Sequence, residues 1–374
     1  MARVTNEATN VYSIAGNIQS WRSLSPPPTA GCTGVKYPMT TMNRQVQLRR
    51  RPKGLPQPED FAIVELPVPQ PNPGELLVRT HFLSLDPYMR GRMNDGKSYA
   101  SPTALNAVMP GGTVGEVIAS NDPSIAVGSI VTGGGGWQDF AVLHARSVRV
   151  VDAGLAPIST AVGVLGMPGH TAWYGLNVIG RPLAGQTVVV GAATGAVGSV
   201  VGQLARLTGC RVVGVAGSDA KCAHALNDLG FDACVNHRSH DVASLSDALR
   251  QACPDGIDIY FENVGGTTLA AVLPNLNRGA RIPLCGLISR YNGEDQTPMN
   301  LGPLLSNRVT LQGFIISDHP ETFPAFFAEV APRVQSGQLR YREDIVEGLA
   351  NAPQAFTRLF SGENFGKLVV RVAS

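Results

Sequence analysis

The sequence predicts an α/β chain in which a small, strand-rich barrel precedes a doubly wound parallel sheet. Three observations carry this. At 374 residues the chain is long enough for two cores. From about Pro182 onward, short apolar runs without alternation recur at 187–190, 211–215, 233–235, 257–261, 280–285 and 309–316. Such runs suit strands buried on both faces, and the helix-like segments between them imply parallel pairing with right-handed crossovers. From about Arg44 to Leu165, by contrast, short strand-like segments are separated by turns and glycine corners.

Residues 1–41 come first and differ from the rest. They are rich in Ser, Thr and Pro, Glu7 is their only acidic residue, and no periodic pattern runs through them. They read as a disordered extension. Their low acidity, with Arg3 and Arg22, is compatible with an organelle transit peptide, and Met39 or Met42 is an alternative start. No signal-peptide apolar core is present.

The barrel segment follows. Residues 75–80 form a half-buried strand after the turn Pro71-Asn-Pro-Gly74. Further short strands are expected at 111–118, 128–131 and 137–142. The parallel sheet occupies 166–335. The tail, ending Gly366-Lys-Leu-Val-Val-Arg371, reads as a strand returning to the first domain, which therefore comprises 42–165 plus 336–374.

Composition excludes several partner classes. A net charge of +2 gives no reason to expect nucleic acid, and Arg49-Arg50-Arg51 reads as a solvated strand edge. Apolar stretches are broken well before the roughly 18 residues of a membrane span. The six cysteines are scattered without a Cys-x-x-Cys pair, which suits reduced thiols in a reducing, cytoplasmic compartment. A small-molecule substrate is the expected partner.

The chemistry starts at the first strand of the sheet. It runs into Gly191-Ala-Ala-Thr-Gly195-Ala-Val-Gly198 and then a helix over 199–207. Glycines at 195 and 198, with Ala196 and Val197 between them, let the backbone approach a pyrophosphate at the helix N-terminus. A tight turn without a ligand is the alternative, but the strand–glycine–helix–strand context favours a dinucleotide.

The end of the next strand selects which one. An NAD site wants a carboxylate there, and this chain has Val215-Ala-Gly-Ser218. Ser218 and Lys221 are candidate donors to a ribose 2′-phosphate, with His237 or Arg238 nearby, so NADPH is the expected cofactor. A merely solvated Lys221 is the alternative. Asp219, which would oppose a phosphate, is expected to cap the following helix instead.

No metal site is expected. The segment 42–165 has no Cys, and its two histidines, His81 and His144, lie far apart, with His81 read as a core residue in a strand. Without a Lewis acid alcohol oxidation is disfavoured, whereas reduction of a conjugated alkene needs only hydrogen bonds to the carbonyl.

Seven motifs in order then resemble the leukotriene B4 12-hydroxydehydrogenase/prostaglandin reductase family of the medium-chain dehydrogenase/reductase superfamily. They are Leu83-Ser-Leu-Asp-Pro-Tyr-Met-Arg-Gly-Arg-Met93, Met167-Pro-Gly-His-Thr-Ala172, Ala192-Ala-Thr-Gly-Ala-Val-Gly198, Ala216-Gly-Ser-Asp-Ala-Lys221, Tyr260-Phe-Glu-Asn-Val-Gly-Gly266, Cys285-Gly-Leu-Ile-Ser-Arg-Tyr-Asn292 and Gly362-Glu-Asn-Phe-Gly-Lys367. Within the family the sequence is most similar to bacterial NADPH-dependent curcumin reductases and alkenal double-bond reductases. The resemblance covers about 43–374.

It implies a GroES-like domain on a Rossmann domain, zinc independence, NADPH, a homodimer, and enone or alkenal substrates. By motif, Asn263 and the backbone from Cys285 line the cofactor, Asn364 touches its nicotinamide end, and Phe314 to Ser317 pass beneath the nicotinamide. Asn236-His237-Arg238 stands where many relatives carry Asn-Tyr-Lys, a departure at the third phosphate contact. Tyr291 is the implied support for the enolate oxygen or its reprotonation, though a loop tyrosine also suits stacking. Tyr88 faces the same cleft to bind substrate or serves in packing. A quinone reductase of the same superfamily and a non-catalytic NADPH-binding regulator are the competing readings. The Ser-Arg-Tyr-Asn segment argues against the first. Tyr291 and Asn364 beside an intact phosphate loop argue against the second.

Overall fold

The computed structural model describes residues 42–293 and 295–373. The reading of 1–41, with its alternative start at Met39, lies outside the described residues.

Six parallel strands form one sheet, in the spatial order Ala233–Asn236, Arg211–Ala216, Thr187–Gly191, Ile257–Phe261, Leu276–Leu284, Thr310–Gly313. Numbered along the chain this is 3-2-1-4-5-6, the order of a dinucleotide-binding doubly wound sheet. Thr187–Gly191 is buried at every position, as its unalternating sequence requires. The strand order reverses between Thr187–Gly191 and Ile257–Phe261, and the crevice outside their carboxyl ends is where ligands bind in such sheets.

Two of these strands depart from the sequence reading. Leu276–Leu284 starts earlier than expected, through the polar stretch Asn277-Arg278-Gly279. Thr310–Gly313 is shorter than the run 309–316, because the chain leaves the sheet at Phe314.

The second sheet is built on the long strand Glu75–Ser84. Thr113–Ser120, Ile130–Gly133 and Arg149–Val150 follow it on one side, and Phe140–His144 also pairs with it. On its other side Lys367–Arg371 pairs antiparallel, Val369 opposite Ser84, so the tail does return to this sheet. Glu343–Glu347 then adds in parallel beyond Lys367–Arg371. Gly115 is where Glu75–Ser84 and Thr113–Ser120 shift register. A Cβ there would collide with the Arg79 carbonyl, so no larger residue fits.

A hairpin of Met42–Leu48 and Phe61–Pro67 packs alongside. Phe61 stacks on the fully buried Trp137 at 5.6 Å, and Phe356 meets the same indole edge-on at 5.5 Å. The arginine triplet is not a strand edge: it lies in the loop after Met42–Leu48. There Arg50 pairs with the buried Asp60, and Arg51 donates to the Met93 carbonyl. The described cysteines are all free.

Candidate active site

One cavity of about 660 Å³ opens at the carboxyl ends of the parallel strands, between the two sheets. Its lining includes Gly195, Ala196, Val197 and Gly198, with Lys221, His237, Asn263, Cys285, Tyr291, Phe314, Asn364 and Tyr88. Every residue singled out from sequence is therefore gathered in one place, except Ser218.

The glycine loop is shaped by close approach. Ala192 takes φ of 50°, an uncommon conformation for a residue with a side chain, and its carbonyl accepts from Gly195 N at 2.9 Å. Helix Gly198–Leu207 follows directly, and Gly198 sits so close to the loop that a Cβ would strike the Ala192 carbonyl. The helix N-terminus thus faces the cavity with its positive dipole end, as an anion site requires.

The next strand, Arg211–Ala216, is followed directly by Gly217. A Cβ there would stand 3.3 Å from His237 Nε2 and 3.5 Å from Arg238 Nε, so a longer side chain would fill the space these groups surround. Lys221 completes the cluster; its Nζ donates to the Gly362 carbonyl at 2.7 Å. Arg238 likewise reaches the Ser361 carbonyl. Burial and then the Arg238 charge hold the Lys221 ammonium below its usual range, and burial, Arg238 and Lys221 do the same to His237. An anion placed among them relieves both Lys221 and His237.

Ser218, not Asp219, caps helix Asp219–Asn227. Its extended backbone precedes the first helical residue, and its hydroxyl accepts from Lys221 N at 3.3 Å. Asp219 is already inside the helix, and its carboxylate accepts from Asn236 Nδ2 at 2.8 Å. This corrects the expectation that Asp219 is the cap: Ser218 takes that place, and Asp219 is held by Asn236.

The strand Ile257–Phe261 delivers Asn263, whose Nδ2 donates to the Gly191 carbonyl at 2.8 Å, tying the two central strand ends together. Beside it Glu262 is fully buried and accepts from Val264 N, Gly265 N and Tyr260 Oη. Burial outweighs those bonds and lifts its carboxyl to about 7. Phe314, Ile315, Ile316 and Ser317 also line the cavity.

Tyr291 closes a short helical turn, Ile288–Arg290, and is half-buried. Burial pushes its phenol up to about 12, against the opposing effect of the Leu287 amide. It is a neutral O–H donor at physiological pH. Burial likewise raises the Cys285 thiol to about 12, so this cysteine is no nucleophile. The Tyr88 phenol is raised by burial and by Asp86. Asp86 itself pairs with Lys367 at 3.0 Å, a buried ion pair in the cavity wall.

Sequence reasoning assigned no role to Arg92 or Tyr99, which also line the cavity. Arg92 had a readable signal: it lies four residues after Tyr88 on helix Tyr88–Arg92, hence on the same face. Tyr99 sits in irregular chain and had none.

His81 is part of Glu75–Ser84 as expected. Its Nε2 stands 3.9 Å from Glu116, and burial lowers its imidazole. Among the described residues no three His, Cys, Asp or Glu side chains are grouped to hold a metal.

Two family models match the chain. One, an N-terminal domain of oxidoreductase, covers residues 44–151, and the other, a zinc-binding dehydrogenase, covers 196–331. The NADPH-dependent curcumin reductase of Escherichia coli (strain K12) is 50% identical over 88% of this chain and 97% of its own length. Prostaglandin reductase 1 of Oryctolagus cuniculus is 37% identical, over 86% of this chain and 90% of that protein. This chain belongs to the prostaglandin reductase family of the medium-chain dehydrogenase/reductase superfamily.

The fold agrees. CurA from Vibrio vulnificus, solved in complex with NADPH, is 46% identical, superposes with a TM-score of 0.83, and is matched over 88% of this chain and 99% of its own. This medium-chain dehydrogenase/reductase matches a model described as zinc-binding, yet its described residues offer no zinc donor set.

Proposed function

We propose that this chain is an NADPH-dependent reductase that saturates the carbon–carbon double bond of α,β-unsaturated ketones and aldehydes. The observation that carries this is a single cavity joining three features. These are a glycine loop at a helix N-terminus, a cluster of Lys221, His237 and Arg238 around Gly217, and a neutral phenol at Tyr291.

The residues fit the cofactor. The loop from Gly195 to Gly198 takes the pyrophosphate, and the space before Gly217, walled by Lys221, His237 and Arg238, takes the 2′-phosphate. Asn263 and the backbone at Cys285 line its path. Phe314 and Asn364 bound the nicotinamide end. Bound NADPH supplies the hydride, which goes to the β-carbon of the substrate.

Tyr291 donates its phenolic proton towards the substrate oxygen, where negative charge develops, and Tyr88 packs on the substrate. Such a donor substitutes for a Lewis acid, because an enolate needs stabilisation by hydrogen bonds rather than by a metal. Dialysis against a chelator therefore leaves turnover unchanged, and elemental analysis returns no stoichiometric zinc. One tightly held zinc per chain contradicts this. The same family reading carries a homodimer working in the cytoplasm.

Tyr291→Phe tests the reading at the chemical step. The ring and its packing survive, while the donor is lost. Removing the principal donor to an oxyanion costs about 10²–10³ in rate. A smaller loss, about tenfold in the rate constant for reduction, is expected here because solvent shares the same oxygen, and NADPH affinity stays unchanged. Full turnover by the variant would reduce Tyr291 to a packing residue.

A further inference from the structure

Two cysteines that do not line the cavity meet beside the elements that carry the basic cluster. Cys222 lies in helix Asp219–Asn227, directly after Lys221. Cys234 lies on the strand Ala233–Asn236, which runs straight into His237 and Arg238. Their sulfurs are 2.8 Å apart, and the Cys234 thiol donates to Cys222 Sγ. Both thiols are free, and among the described residues theirs is the only sulfur–sulfur hydrogen bond. Cys210, by contrast, donates to the Leu183 carbonyl.

The fold makes room for this contact. Cys234 pairs with Gly214 on the neighbouring strand, where a Cβ would stand only 3.1 Å from Cys234 Sγ. A larger residue at 214 would crowd the sulfur. Cys222 is buried and Cys234 half-buried, so the pair is screened from bulky reagents but keeps some exposure at Cys234. A disulfide places its sulfurs about 2.05 Å apart, so closing this pair needs an approach of less than about 1 Å. The bond from Cys234 also holds the Cys222 thiol below its usual range and raises the Cys234 thiol, which makes Cys222 the sulfur that ionises first.

We propose that Cys222 and Cys234 form a redox-active dithiol that peroxides close to a disulfide, locking the helix that carries Lys221 to the strand that leads into His237 and Arg238. The Cys222 thiolate attacks one oxygen of hydrogen peroxide. An S–O bond forms, the O–O bond breaks, and the departing hydroxide takes up the proton that Cys222 released, giving water. Cys234 then attacks the Cys222 sulfur. The S–S bond forms, the S–O bond breaks, and the second hydroxide leaves as water with the Cys234 proton. The two thiols lose two electrons and the peroxide gains them. A dithiol reductant reverses the closure by exchange.

The lock is read at the cofactor. Lys221 and Arg238 carry like charges, which repel one another. A covalent tie between their carriers holds them in place before a phosphate arrives, so less ordering remains to be done on binding. The disulfide form should bind NADPH about threefold more tightly than the dithiol form, with NADH affinity unchanged.

The test treats the fully reduced, full-length protein with hydrogen peroxide, alkylates the remaining thiols in denaturant and maps the peptides by mass spectrometry. The expected product is two hydrogens lighter, with the peptides of Cys222 and Cys234 joined. Dithiothreitol should restore both the mass and the original NADPH affinity. Cys222→Ser and Cys234→Ser should each form no bridge and show no change of NADPH affinity on oxidation. The mapping in the unmodified chain needs no variant, so it decides the question even where a variant folds poorly.

Cys222 and Cys234 both open to alkylation after peroxide would overturn the proposal, as would a bridge from either one to a different cysteine. A Cys222–Cys234 bridge that leaves NADPH affinity unchanged, or weakens it, would overturn the lock.

Discussion

Lys221→Ala is expected to weaken NADPH binding by about ten- to a hundredfold while leaving NADH binding nearly unchanged. A charge-assisted hydrogen bond contributes about 1.5–3 kcal/mol, and about 1.4 kcal/mol is tenfold in affinity. Two features set the result within that range. Without a phosphate, Lys221 Nζ donates to the Gly362 carbonyl, so binding exchanges one hydrogen bond for a stronger one rather than creating a bond outright. Against this, burial and the Arg238 charge disfavour the lysine cation, and a phosphate removes that penalty. The neighbouring His237 and Arg238 remain in the variant, so some preference for NADPH survives. Titration of both cofactors, followed by fluorescence or calorimetry, reads the ratio directly. Equal affinities for NADPH and NADH in the unmodified protein would contradict the assignment.

Lys367→Met is expected to have the largest effect on stability. Lys367 Nζ is almost fully buried and donates to Asp86 Oδ1 at 3.0 Å and to the carbonyls of Leu85 and Leu368. The pair fastens the strand Lys367–Arg371 to the segment that carries Tyr88. Methionine keeps most of the side chain's volume but leaves the Asp86 carboxylate buried with only Ser84 as donor. Removing one partner of a buried pair costs about 3–5 kcal/mol, most of it the uncompensated charge. The denaturation midpoint should fall accordingly. Lys367→Met combined with Asp86→Leu should recover much of the loss, because no orphan charge remains. A single variant as stable as the parent would show that water reaches Asp86 and that the pair is not buried in solution.

The parallel sheet was legible because strands buried on both faces must be apolar throughout, and 187–191 is so in sequence as in structure. The hairpin Met42–Leu48 with Phe61–Pro67 was not. Its inward positions include Asn43, fully buried and bonded through its amide to the backbone of Phe140, while Ile63 and Leu66 face outward. Polar residues inside and apolar residues outside erase the alternation on which strand reading depends. The chain end of the parallel sheet was overextended for a related reason. Residues 314–316 are apolar because they line the cavity, not because they continue the strand.

In the site, the glycine loop and the missing carboxylate were readable because each follows from one local segment. The cap was misread by one residue, since Ser218 and Asp219 are both good capping types and only the backbone shows which lies outside the helix. Lys367 escaped notice because its partners, Leu85 and Asp86, are distant in sequence.

The central claim is hydride transfer to the β-carbon of an enone, and isotope position tests it most directly. NADPH deuterated at both C4 positions of the nicotinamide is supplied with a simple enone in ordinary water, and the product is examined by NMR. One deuterium at the β-carbon, none at the α-carbon and an intact carbonyl is the predicted result. Deuterium on the carbonyl carbon, with an allylic alcohol as product, would contradict it.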